Sequence, residues 1–223
     1  MNPIILSKLF LSHAGGWRYL AHSHISTVRM FLFYVLPLSA IPPLMIYYAG
    51  TAYHENLLPA LALSSGQLQV LSLVFFATEL VMVFIVAGAI EGLANAAFKT
   101  LHSRGELLQY PAEMPKPPVT EKVRKVEYRD AFTLAAVAPT PLWIGSLALF
   151  VPNFMIVMTI GALALIGSAA IIYYATPAIF RIREKGEAIL MGYTLIIPGM
   201  VAWAAMMYLA LLSWSAITST LAF

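Results

Sequence analysis

Apolar and charged residues fall in long blocks along this chain. Met30–Tyr53 carries no charge, and about 20 apolar residues suffice to cross a bilayer's hydrocarbon core as a helix, so a first span is predicted at 30–49. Residues 56–78 are also uncharged, but Leu57–Gly66, with Pro59 and Ser64–Ser65–Gly66, has the composition of a loop. From Leu68 to Phe98 only Glu79 and Glu91 interrupt the apolar character, which gives a second span at 68–98. The stretch Lys99–Asp130 is polar and holds Pro111, Pro115, Pro117 and Pro118, as a loop would. Ala131–Phe180 then runs for fifty residues without Asp, Glu, Lys, Arg or His. That is too long for one helix and suits two, 131–150 and 154–177, joined at Val151–Pro152–Asn153, because proline ends helices and asparagine favours turns. A last apolar stretch supplies a fifth span at 188–212. The pattern predicts an all-α integral membrane protein with five transmembrane helices. Its expected parts are an N-terminal segment, 1–29, and a membrane domain, 30–223, with a cytoplasmic loop at 99–130.

Composition agrees and removes alternatives. The chain is 61% hydrophobic and 10% charged, with mean hydropathy +0.82, whereas a soluble domain carries about 25% charged residues and could not hide this much apolar surface. A soluble enzyme and a disordered chain are excluded. The lack of cysteine excludes a disulfide-stapled fold, thiolate nucleophiles, cysteine zinc sites and iron–sulfur clusters. The first span starts late, is long and has no small-residue cleavage site after it, so it is expected to be retained. No internal repeat supports an inverted-repeat transporter.

The net charge of +3 acquires a meaning once the spans are placed. Lys8, Arg18 and Arg29 precede the first; Lys99, Arg104, Lys116, Lys122, Arg124, Lys125 and Arg129 lie between the second and third; Arg181, Arg183 and Lys185 lie between the fourth and fifth. Every Lys and Arg therefore falls on one side. Short basic loops stay cytoplasmic, so the N-terminus is expected in the cytoplasm and the C-terminus outside. The basic face suits anionic lipid headgroups, and no nucleic-acid partner is expected. Pro3–Ser12, with Ile5, Leu6, Leu9 and Phe10 opposite Lys8 and Ser12, is too short to span and reads as an interfacial helix.

Candidate chemistry is sparse. Glu79 and Glu91 are the ionisable residues inside a span, and a carboxylate at that depth costs several kcal/mol unless it faces a bundle interior, water or a partner. Asn95 and Lys99 follow Glu91 on one helix face, so Glu79, Glu91 and Asn95 are the candidate intramembrane functional residues. Small residues predict close packing: Gly88 and Gly92 in the second span, and Gly161, Ala164 and Ser168 in the fourth. Pro42, Pro139, Pro141 and Pro198 predict kinks that free backbone carbonyls. His22 and His24 would point apart on a helix and, with His13, have no acidic neighbour; neither a metal site nor a cofactor is expected. No catalytic set is present.

Ala40–Ile41–Pro42, Ala131–Phe132, Ala138–Pro139–Thr140–Pro141–Leu142 and Tyr173–Tyr174 with Thr176–Pro177, Phe180 and Ile182 resemble the Yip (Ypt-interacting protein) domain family, in its bacterial branch, over about Ser26–Leu212. The resemblance implies the five-span fold and a location in the bacterial inner membrane. In eukaryotic relatives it implies Rab-GTPase binding and vesicle traffic, which do not carry over to a chain with so short an N-terminal region. The expected function is non-enzymatic association in the membrane, with lipid, with another membrane protein or with a second copy. The alternative is a transporter or channel for a small solute, ion or proton, using Glu79.

Overall fold

The computed structural model describes residues 26–53, 63–108, 125–182 and 184–219. Five helices in it are long and apolar enough to cross a membrane, and no strand occurs among the described residues. We label them α1 (Thr27–Ala52), α2 (Ser65–Leu108), α3 (Tyr128–Phe150), α4 (Phe154–Ile179) and α5 (Lys185–Ser219). The expected interfacial helix at Pro3–Ser12 and the residues His13, His22 and His24 lie outside the described residues.

The breaks follow local chemistry. Pro37 has no N–H to donate, and just before it α1 widens into a π-turn, Phe31–Val35. A second break falls at Ala40, ahead of Pro42 and Pro43. Helix α3 has three pieces: Tyr128–Val137, Thr140–Gly145 and a 3₁₀ turn at Ser146–Phe150. Asn153 starts α4 by accepting the N–H groups of Met155 and Ile156 on its side chain. Arg181, at φ 56°, ends that helix in the left-handed conformation, and Ile182 N–H closes back on the Pro177 carbonyl, a Schellman arrangement that usually takes glycine. One expectation is revised. Lys99–Leu108, assigned to the loop, continues α2, since no proline intervenes before Pro111. Pro198 stands inside α5, which is helical from Lys185 to Ser219.

Successive helices run antiparallel, so Arg29, Lys99, Lys125, Arg129, Arg181 and Lys185 gather at one end of the bundle. The dense core lies toward that end. On α2 the stripe Val83, Ala87, Ile90, Ala94 and Phe98, at three- and four-residue spacing, packs against Phe132 and Leu134 of α3, Ile172 and Ile179 of α4, and Met191 and Leu195 of α5. Small residues allow the closest approaches. A Cβ on Gly192 would lie 2.9 Å from the Tyr173 ring, and one on Gly199 2.9 Å from Ile172 Cδ1.

The expected packing residues divide in two. Ala164 and Ser168 are buried in the contact with α3, where a Cβ on Gly145 would lie 3.0 Å from that of Ala164. Gly88, Gly92 and Gly161 would meet no atom within 4 Å among the described residues, so they make no close contact inside this bundle. The reason is angular: α2 turns Ala87 and Ala94 inward, both 0% exposed, and successive residues are 100° apart on a helix of 3.6 residues per turn. The two glycines are left on the outer face.

Candidate functional site

The site is built on the break in α3. Pro139 and Pro141 both lack an N–H. The carbonyl of Val137, which an unbroken helix would pair with residue 141, instead accepts the Thr140 hydroxyl at 2.7 Å. That hydroxyl has one proton, so the Tyr34 hydroxyl of α1, 2.7 Å away, is the donor in the second bond. The N–H groups of Leu142 and Trp143 both reach the Pro139 carbonyl. The helix thereby restarts with a new register that turns Trp143 inward, where it is 2% exposed.

There the Trp143 indole N–H donates to Glu79 Oε1 at 3.2 Å. A buried indole needs an acceptor and an intramembrane carboxyl needs a partner, so each group answers the other's requirement. Only half of the carboxyl is used. Glu79 Oε2 is buried with no partner among the described residues, and so are Ser168 Oγ of α4 and Ser72 Oγ of α2.

Glu79 and Ser168 border a cavity of about 630 Å³ to which all five helices contribute, among them Pro42 of α1, Trp143 of α3 and Trp203 of α5. Its floor includes Ile90, Ala135 and Ile172, which place it directly against the dense core. Ser146, whose hydroxyl donates to the Trp143 carbonyl at 2.6 Å, also borders it, and the other described lining residues are apolar. Trp143, Trp203 and Trp214 line it, and along α5 its border includes Met200, Met207 and Leu211, which are exposed on the apolar outer surface.

The three candidate residues on α2 do not converge. Glu91 stands twelve residues beyond Glu79, about 18 Å along the helix, where it is half-buried and electrostatically close to Tyr128. Asn95 bonds the backbone rather than Glu91. Its Oδ1 accepts from the Val126 N–H at 2.7 Å and its Nδ2 donates to the Val126 carbonyl at 3.2 Å, which fastens the start of α3 to α2. Among the described residues, no group of three or more His, Cys, Asp or Glu could hold a metal ion. Sequence reasoning missed Trp143, Thr140 and Tyr34. The available signal was a Pro-Thr-Pro motif two residues before a tryptophan, each a polar group that must find a partner in an apolar setting.

Residues 8–206 match the family described as the Yip1 domain. The chain belongs to the Yip1 domain family. The match takes in α1 to α4 and most of α5, including every residue named around the cavity except Met207, Leu211 and Trp214. With its five apolar helices this Yip1-domain chain is an integral, multi-pass membrane protein. No curated protein and no solved structure matches it.

Proposed function

We propose that this Yip1-domain protein acts without catalysis, by association within the membrane, and that the cavity beside Glu79 holds a membrane-soluble guest. The observation that carries the reading is the cavity itself. It is framed by all five helices, its walls are apolar, and part of its border lies on the outer surface of α5. Sites of about 300–1,000 Å³ with apolar walls and a few convergent polar groups suit small-molecule binding. The basic end of the bundle suits the anionic headgroups of a cytoplasmic leaflet, with the N-terminus on that side, and a bacterial inner membrane is the location that fits. A second copy or another membrane protein could pack on the outer face of α2.

The transport reading draws on the same carboxyl. Among the described residues that line the cavity Glu79 is the one ionisable side chain, and one of its oxygens is engaged by Trp143, an arrangement better suited to holding a guest than to relaying an ion. Purification in mild detergent followed by solvent extraction and mass spectrometry tests the proposal. Co-purifying lipid or protein in fixed ratio is expected. A strictly monomeric protein carrying neither overturns it, and a proteoliposome proton or cation flux lost in Glu79→Gln would put transport in its place.

A further inference from the structure

Resting on that reading, we infer that the guest is the acyl chain of a bilayer lipid, lying along the helices against Trp143 with its headgroup left outside the protein. The shape of the cavity points to a chain. On α2 its lining runs from Leu71 to Ile90, and on α5 from Ile196 to Trp214, about 28 Å and about 27 Å at 1.5 Å per residue. A volume of about 630 Å³ drawn out over that length is a slot parallel to the helices rather than a chamber. The slot is nearly as long as the ~30 Å hydrocarbon core of a bilayer is thick.

The chemistry of the lining points to hydrocarbon. Among its described residues, polar side-chain atoms belong to Glu79, Ser146, Ser168 and three tryptophans. Glu79 Oε2 and Ser168 Oγ are buried where no water-sized body reaches them. The Trp143 N–H is taken up by Glu79 Oε1, and the Ser146 hydroxyl by the Trp143 carbonyl. A headgroup drawn into the slot would lose its water and find few hydrogen bonds in return. A methylene chain loses none, and it supplies the dispersion contacts that a space lined by carbon otherwise lacks. The entrance lies along α5, where Met200, Met207 and Leu211 both line the cavity and are exposed on the outer surface. They extend over about 16 Å of a spanning helix, so a chain can enter sideways from the surrounding lipid while its head stays at the membrane surface.

Trp143 supplies the assay, because bromine quenches indole fluorescence at close range. It lines the cavity and is 2% exposed, so lipid packed around the bundle does not touch its ring. Trp17→Phe, Trp203→Phe and Trp214→Phe together leave it as the one tryptophan of the chain. That full-length protein is reconstituted into vesicles of phosphatidylglycerol or phosphatidylcholine, with plain or dibrominated acyl chains. Both brominated lipids are expected to quench Trp143, and to the same extent. Ala202→Phe and Ala210→Phe place a ring at residues that line the slot, and each should abolish the quenching. Elution volume and circular dichroism check that the variants are folded; where one is not, the other carries the comparison. Quenching that survives the ring substitutions comes from lipid around the bundle and overturns the inference. Quenching by only one of the two lipids overturns the placement of the headgroup outside. A brominated sterol that quenches where the brominated chains do not overturns the acyl chain and leaves the guest cavity standing. Absence of quenching by chains and sterol alike overturns the inference, and the function on which it rests falls with it if the solvent extraction also yields no co-purifying lipid or protein.

Discussion

At the scale of single residues, the polar groups in the bundle act as clamps on a proline-broken backbone. Thr140 is the clearest case, with its hydroxyl giving to Val137 and receiving from Tyr34 in a setting where Thr140 is 1% exposed. Thr140→Val should cost about 1–3 kcal/mol, because it strands the Val137 carbonyl and the Tyr34 hydroxyl together. Tyr34→Phe should cost about 1 kcal/mol, since Thr140 still bonds Val137. Residues that share a hydrogen bond are not independent, so the double variant should be less destabilised than the two losses added. Unfolding of the four proteins in detergent measures this, and strict additivity would show that the pair is not coupled. The Asn95 bonds to Val126 belong to the same class, which is why Asn95 serves the backbone of α3 rather than the Glu91 face on which its spacing had placed it.

At the scale of helices, the question is which face of an apolar cylinder turns inward. Helix α2 is apolar nearly all round, so Gly88-x-x-x-Gly92 and the stripe through Ala87 and Ala94 are equally good packing faces by composition. Contacts with α3 and α5 selected the alanines. The consequence is measurable: Gly192→Leu drives a side chain into Tyr173 and should cost about 1–3 kcal/mol, whereas Gly88→Leu meets open space and should leave thermal stability in dilute detergent within about 0.5 kcal/mol of the parent. Equal losses in the two variants would mean that the Gly88 face is covered in the folded protein. Proline placement was legible for the same local reason that packing was not: Pro139 and Pro141 remove donors wherever they occur, and α3 breaks beside them.

At the scale of the molecule, the five helices set the described basic residues Arg29, Lys99, Lys125, Arg129, Arg181 and Lys185 at one end, and the chain's lack of cysteine makes the orientation directly testable. Single cysteines placed at Asn153 and at Lys185 lie on opposite ends of α4 and α5. On the proposed topology, which puts the N-terminus in the cytoplasm, a membrane-impermeant thiol reagent added to intact cells should label the cysteine at position 153 and leave that at 185 unlabelled until the membrane is opened. The reverse result would invert the topology.

The sequence by itself determined the membrane class, the number of helices and the family resemblance. Each depends on quantities additive along the chain: apolar length against bilayer thickness, the spacing of charges, and the motifs around Pro139 and Pro177. It also marked Glu79 as a carboxyl in need of a partner. The tertiary structure alone decided that the partner is Trp143, sixty-four residues away, that Ser168 joins the same cavity while Glu91 and Asn95 do not, and that alanines rather than glycines line the α2 contact. These outcomes depend on the rotation of each helix about its axis. In a chain whose helices are apolar on every side, no polar face specifies that rotation, and only the mutual fit of five helices does.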